Sequence, residues 1–264
     1  MDLPKVDFQK PNFSEIKKDW DFVVDMHVHS SFTDGFNSYK KMVDRALKRG
    51  ISLAFTDHND VKATNRAFLL QKRPFIVPGI EVHSREGPHI LCYFYSLLAL
   101  NRFYRVIVEP ALGRDPLGRT NLSITEVVNY CKKFRGVVSI AHPFGPAWLN
   151  LRKKLSPGLL KEIDAFEAIS GEQTRRANKL AIKKSAGFGI AVTGGSDAHR
   201  YTEVGNVLVC SEAKSVQEFL DDVRRGNVTV IGHETTLAKK PVLLSRVVQK
   251  HVCELGKTVY CKSS

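Results

Sequence analysis

The amino-acid sequence predicts an α/β domain with a parallel sheet, either open or closed into a barrel, and three observations predict it. Short, nearly continuous apolar runs rich in β-branched and aromatic residues recur along the chain. Helical patterns sit between several of them, and the runs end in polar, chemically capable residues. Runs of that length and apolarity suit strands buried on both faces, and strand–helix–strand alternation is how parallel sheets are connected.

The first run is Phe22-Val23-Val24-Asp25-Met26-His27-Val28-His29. Residues 39–48 follow as a helix with Met42, Val43, Ala46 and Leu47 on one side, and Ile51-Ser52-Leu53-Ala54-Phe55-Thr56-Asp57-His58 is the second run. Residues 75–82 and 89–94 are the third and fourth. Ser123-Ile124-Thr125-Glu126 has the spacing of a capping box, opening a helix that reaches Phe134 and stops at Gly136. Strands are expected at 137–142 and 165–169, then a basic amphipathic helix over 172–186 that ends at Gly187. Residues 190–194 and 204–209 are the last two runs of this type. Ser215-Val216-Gln217-Glu218 is a second capping box, whose helix ends near Gly226. Two stretches break the alternation. Residues 109–121 carry Pro110, Gly113, Pro116 and Gly118 with Arg114 and Arg119, and residues 143–158 carry Pro146, Pro157 and Arg152-Lys153-Lys154. Long loops over a scaffold gate or recognise substrates as often as they are plain surface excursions.

With 264 residues, 43% of them hydrophobic and 25% charged, the chain suits one large domain with or without a small appendage. The expected division is an N-terminal extension over 1–20, a main domain over 21–235 and a helical extension over 236–264. No apolar run approaches the roughly 18 residues of a membrane span, and the first 20 residues lack the apolar stretch of a secretory signal. Five cysteines, Cys92, Cys131, Cys210, Cys253 and Cys261, are scattered and contain no CxxC pair. They fit a reducing cytoplasm better than a disulfide framework or a thiolate metal site. The 40 Lys and Arg against 27 Asp and Glu leave a net charge of +13. That surplus either favours anionic partners such as phosphate esters, nucleotides or nucleic acid, or is a solubilising coat.

The nine histidines carry the chemical signal. Seven of them fall within or just after the expected strands, and parallel α/β folds place their active sites at strand C-terminal ends. In His27-Val28-His29 the two imidazoles share a strand face and can reach one ion, with Asp25 on that face and Asp34 downstream. Thr56-Asp57-His58 closes the second run and Gly79-Ile80-Glu81-Val82 the third. A carboxylate ending an apolar run is costly to bury unless paired or metal-bound, and Glu81 has two oxygens with which to bridge two cations. His142-Pro143 ends a later run, and Asp197-Ala198-His199 is another i, i+2 pair. A lone histidine or carboxylate at a strand end is ordinarily a hydrogen-bonded rim residue or a helix cap. The recurrence on successive strand ends makes a multinuclear metal site the better reading. Imidazole nitrogen and carboxylate oxygen without thiolate suit two or three divalent ions of Mn²⁺, Zn²⁺ or Fe²⁺. Cations a few ångströms apart lower the pKa of a bridging water, and phosphate-ester hydrolysis draws most on that charge neutralisation.

These residues resemble the PHP family, named from polymerase and histidinol phosphatase. The resemblance rests on His27-Val28-His29 with Asp34-Gly35, Thr56-Asp57-His58, Gly79-Ile80-Glu81-Val82, His89-Ile90-Leu91, Ala141-His142-Pro143 and Gly195-Ser196-Asp197-Ala198-His199, in that order. It implies a distorted seven-stranded (β/α) barrel with the metals at the strand C-terminal ends. It further implies that His27, His29, Glu81 and Asp197 hold a first metal and that Glu81 bridges to a second held with His89 and His142. Asp34, His58 and His199 would form a third. His83 stands two residues past Glu81, where stand-alone relatives more often carry a small hydroxyl residue, and it competes with His89 or contacts substrate. Asp57 is a supporting carboxylate. Arg200, directly after the last motif, is the first choice for a phosphate contact, with Arg85 and Arg119 as alternatives.

The length leaves no room for a polymerase palm, so the resemblance is to stand-alone members: phosphatases of small metabolites or nucleotides, and exonucleases that trim short nucleic acids. A metal-dependent phosphoesterase acting on a phosphorylated metabolite or nucleotide is the leading reading. A 5′–3′ exonuclease or nucleic-acid-binding module is the alternative. A non-catalytic domain conflicts with the complete ligand set, and an amidohydrolase would add a lysine at a mid-barrel strand end, which is missing here.

Overall fold

The computed structural model describes residues 5–72, 74–115, 118–145, 151, 153 and 155–235. The expected C-terminal helical extension over 236–264 lies outside the described residues, as do Arg152 and Lys154. The elements run β1 (Lys5–Asp7), α1 (Phe13–Asp19), β2 (Phe22–Val28), α2 (Tyr39–Arg49), β3 (Ser52–Phe55), α3 (Lys62–Phe68), β4 (Gly79–His83), β5 (His89–Tyr93) and α4 (Leu97–Phe103). A π-helical turn (Tyr104–Val108) and a 3₁₀ turn (Glu109–Ala111) extend α4. Then come α5 (Ile124–Lys133), β6 (Val137–Ile140), α6 (Pro157–Glu162), β7 (Ala165–Ser170), α7 (Arg175–Phe188), β8 (Ala191–Gly195), β9 (Val207–Ser211), α8 (Val216–Arg225) and β10 (Thr229–Gly232).

The strands form two five-stranded sheets, in the orders β1-β10-β9-β2-β3 and β4-β5-β6-β7-β8. The fold is therefore mixed α/β: the expected parallel pairing holds for part of each sheet, and antiparallel pairs interrupt it. β5 runs antiparallel to both β4 and β6, and β9 runs antiparallel to β2 and β10. The reason at β5 is the connection. Ser84 to Pro88 closes a tight turn in which the Ser84 amide and hydroxyl both donate to the Pro88 carbonyl. A parallel crossover needs a dozen residues or more, so so short a link forces a hairpin. β1 lies in the segment expected as an N-terminal extension and pairs parallel with β10. Isolated parallel bridges link the two sheets, Leu53 with Ile76 and His58 with Glu81 between β3 and β4, and Val28 of β2 with Ala198 just past β8.

Local chemistry sets the helix ends. The Ser123–Glu126 box is reciprocal, whereas at α8 Ser215 accepts from the Glu218 amide while the Glu218 side chain accepts from the Lys214 amide instead. α7 begins at Arg175 because the Thr174 side chain caps it, and it runs through Gly187 to Gly189, whose φ of +64° ends it. Gly187 costs about 1 kcal/mol within a helix and does not stop one.

Alternation along β2 divides the core. Phe22, Val24 and Met26 face one apolar cluster, in which Phe22 stacks on Phe219 of α8, while Val23 joins Met42, Val43 and Ala46 of α2. A third cluster fills the space between β4–β6 and α4, α5 and α6. Each such side chain contributes roughly 1.5–3 kcal/mol by leaving water. That burial fixes the strands, and their ends present the polar residues along one edge.

Candidate metal centre

The end of β2 supplies His27 and His29. Pairing of β2 with β3 shifts register between Asp25 and Val28, so the strand leaves its regular ladder where the histidines begin. Such irregularities re-aim side chains. β3 leads to His58, β4 carries Glu81, the start of β5 carries His89, the turn after β6 carries His142, and Asp197 and His199 follow β8. His142 and Asp197 have φ of +28° and +49°, a left-handed backbone that non-glycine residues adopt only where their surroundings hold them. Gly195 permits the close approach of β8 to β2: a Cβ there would stand 2.1 Å from that of His27.

Nine residues converge. His27 Nε2 is 3.1 Å from His29 Nε2, 3.3 Å from Glu81 Oε2 and 3.5 Å from Asp197 Oδ1. His29 Nε2 is 3.4 Å from Glu81 Oε2 and 3.1 Å from Asp197 Oδ1. Ligands at about 2.1 Å around one ion in tetrahedral geometry stand about 3.4 Å apart, so His27, His29 and Asp197 have the spacing of a coordination shell, and Glu81 Oε2 keeps the same spacing from both histidines. The other Glu81 oxygen, Oε1, is 3.0 Å from His89 Nδ1 and 3.4 Å from His142 Nε2. Asp34 Oδ2 is 3.0 Å from His199 Nε2 and 3.3 Å from His58 Nε2. His58 Nδ1 lies 3.0 Å from Glu81 Oε2, so His29, His58 and Glu81 also form a group able to hold an ion, a combination that the family resemblance does not imply.

The fit to metal rests on the buried donors. His29 Nδ1, His58 Nδ1 and Glu81 Oε2 are buried without a hydrogen-bond partner, although charged neighbours crowd them. A fully buried carboxylate oxygen left so costs several kcal/mol unless a cation meets it. Electrostatics point the same way. Burial works against the charged form of each group, yet His58, facing Asp34 and Glu81, is pushed up to about 9, and His199, beside Asp34 and Asp197, to about 10. Burial likewise opposes ionised Glu81 and Asp34, but the surrounding imidazoles hold both well below the carboxylate range. The cluster thus takes up protons wherever no other positive charge is present. His83 differs. Burial and the neighbouring His89 and His58 lower it to about 3, its ring meets that of His89 edge-on at 4.2 Å, and it belongs to none of the candidate ligand groups.

Four further carboxylates hold the backbone of the ligand-bearing segments. Asp57 accepts from the amide and hydroxyl of Ser30, both at 2.6 Å, and from the Thr33 hydroxyl. Asp25 accepts from the amides of Ser196 and Gly205, and burial raises it to about 6. Glu203 accepts from the amides of His199 and Arg200. Glu167, in the middle of β7, accepts the His142 amide at 2.6 Å and lies 2.8 Å from His27 Nδ1. Sequence reasoning picked out Asp57 and Asp25 and missed Glu167 and Glu203; an acid inside the apolar run Ala165-Phe166-Glu167-Ala168-Ile169 was the available signal. Of the expected substrate contacts, Arg119 forks onto Asp115 at 3.1 and 2.7 Å with its charge felt at His83. Arg85 donates to the Asn121 carbonyl, and Arg200 packs over the Phe36 ring.

A family profile described as the PHP domain matches residues 25–135, and one described as PHP-associated matches residues 175–228. The chain is 23% identical over 235 residues to an uncharacterised protein of Methanocaldococcus jannaschii, covering 83% of this chain and 86% of that one. Its fold is similar to a two-domain protein from Bacteroides vulgatus containing a predicted PHP-like metal-dependent phosphoesterase, at 16% identity and a TM-score of 0.56, over 88% of this chain and 70% of that one. It is also similar to Endonuclease Q of Pyrococcus furiosus, a lesion-specific endonuclease, at 18% identity and a TM-score of 0.59 over 79% of this chain; the match spans 57% of that longer protein. The two profiles fall in order along the chain and between them take in every candidate ligand except His142, so the chain carries a PHP domain followed by a PHP-associated segment.

Proposed function

We propose that the protein hydrolyses phosphate esters, of a small phosphorylated metabolite or a nucleotide, at two or three divalent cations of Mn²⁺, Zn²⁺ or Fe²⁺. The observation that carries this is the set of buried donor atoms on His29, His58 and Glu81 that make no hydrogen bond, inside a cluster with coordination spacing. His27, His29, Glu81 and Asp197 hold the first ion. Glu81 shares the second with His89 and His142, and Asp34, His58 and His199 hold the third. Bound there, the ions supply positive charge for the phosphate and lower the pKa of a shared water towards neutrality.

The chain's own residues do the rest. Glu81 keeps its two oxygens directed at separate histidine groups. Asp57, Asp25 and Glu203 keep the ligand-bearing loops from relaxing. Arg119, its fork fixed by Asp115, places a cation beside His83 for the substrate phosphate, and Arg200 and Arg85 extend the positive rim. The net charge of +13 raises the local concentration of anionic substrates. The two five-stranded sheets, bridged between β3 and β4 and between β2 and the end of β8, serve as the distorted barrel that the family resemblance implies. No described helix is long and apolar enough to cross a membrane. The buried free thiols Cys92, Cys131 and Cys210 suit a reducing cytoplasm. The same net charge favours a second reading, a nuclease acting on short nucleic acid, in line with the DNA-lesion chemistry of Endonuclease Q.

Phosphate release from a panel of nucleotides and sugar phosphates with added Mn²⁺ tests the proposal, beside a His27→Ala/His29→Ala variant. Release that the variant loses by 100-fold or more is the expected result. Degradation of a labelled oligonucleotide without release from any monoester would move the activity to nuclease. Silence in both assays with metal bound would contradict the phosphoesterase reading.

A further inference from the structure

Among the described carboxylates that surround the cluster without belonging to its ligand groups, Glu167 makes a contact of a different kind. Asp25, Asp57 and Glu203 bond backbone amides and hydroxyls. Glu167 alone of these four reaches an imidazole. Its Oε1 lies 2.8 Å from Nδ1 of His27, and its Oε2 accepts the His142 amide at 2.6 Å. The side chain is fully buried, so neither oxygen has water as an alternative. The two partners belong to different groups of candidate ligands, His27 with His29 and Asp197, His142 with Glu81 and His89. His142 holds a φ of +28°, a backbone that needs such a tie. The pairing of β7 with β8 also changes register between Glu167 and Ile169, so the strand is irregular where this carboxylate is placed.

We infer that Glu167 is a positioning residue that acts on two metal positions at once. By accepting the proton of His27 Nδ1 it leaves Nε2 as the free lone pair, the atom that faces His29, Glu81 and Asp197. By holding the His142 amide it keeps that imidazole turned to Glu81 Oε1. Asp34 and His199, which pair at 3.0 Å, have a separate anchor in Glu203, which accepts the His199 amide. A ligand imidazole fixed through its other nitrogen by a carboxylate binds metal about 10–100-fold more tightly than one left free. The inference rests on the phosphoesterase reading only in taking the cluster to hold metal.

The test is Co²⁺ titration of the full chain, wild type, Glu167→Gln and Glu167→Ala, followed by the visible spectrum and by metal content after desalting. Glu167→Gln keeps the volume and can still accept from His27, but its amide then turns a donor towards the His142 N–H. The expected result for Glu167→Gln is a 10–100-fold loss of affinity at one position at least, with one Co²⁺ per chain retained at wild-type strength. Glu167→Ala loses two. Glu203→Gln, as the converse, weakens only the retained ion. Nitrogen-15 imidazole shifts are expected to show His27 protonated at Nδ1 in the metal-loaded wild type and not in Glu167→Ala. If Glu167→Ala does not fold, Glu167→Gln and the wild-type shifts decide. Unchanged Co²⁺ binding and spectrum in folded Glu167→Gln, or His27 protonated at Nε2 in the wild type, would overturn the inference. A wild type that takes up no Co²⁺ would instead overturn the metal centre itself.

Discussion

His58 and His199 are where proton and metal compete. Both are held charged by Asp34 and its neighbours far above the ordinary imidazole range, to about 9 and about 10. A folded-state pKa raised above the unfolded value gives stability that is complete below about 6.5 and lost as pH rises through the folded value. The chelated protein is therefore expected to melt about 5 °C or more lower at pH 10 than at pH 7. The metal-loaded protein changes less, because its histidines are already neutral ligands. Thermal scans with chelator and with Mn²⁺ at the two pH values check this; equal shifts in both would show that these protons are not linked to the site. At this scale the sequence spoke most clearly where residues repeat at i, i+2 on a strand, as in His27 with His29 and Asp197 with His199. Glu167 was not legible in the same way. A single acid in an apolar run says that it is paired but not with what, and its partners lie 140 and 25 residues away in the chain.

The elements matter through where they depart from regularity. The register shifts fall at Asp25/Val28 of β2, beside His27 of the cluster, and at Glu167/Ile169 of β7, where Glu167 touches His27 from outside the cluster. β8 meets β2 at Gly195 with no room for a side chain. Gly195→Ala is expected to push the strands apart, with a loss of about 1–3 kcal/mol or more in stability. Metal affinity falls with it, because His27 sits on the displaced backbone. Urea unfolding with chelator measures the first effect and metal titration the second; a variant as stable and as tight as wild type would show that the close approach carries nothing. The positions of β2 to β9 and the first turn of α5 followed from apolar runs and the Ser123 capping box, whereas β1 and β10 lie outside the expected runs. Strand direction did not follow, since an apolar run is equally apolar read either way. Only the shortness of the Ser84–Pro88 link hinted that β5 turns back.

Across the whole molecule, burial of apolar strand faces fixes a scaffold that collects charges no isolated part of it would tolerate. Glu81, wholly buried, is surrounded by five histidines from four separate segments. The family motifs made this convergence legible, because their order along the chain reproduces the order of strand ends. They did not convey the carboxylates outside the motifs, nor whether the basic surplus gathers at the mouth, which depends on packing between distant segments. The central claim is that this convergence holds catalytic cations. Its most direct test strips the wild-type protein with chelator, then restores Mn²⁺ stepwise while counting bound ions and following hydrolysis of a phosphate ester. No hydrolysis by the stripped protein is expected, and its return as two or more ions fill each chain. Hydrolysis that survives complete chelation, or a chain that binds no ion at all, would contradict it.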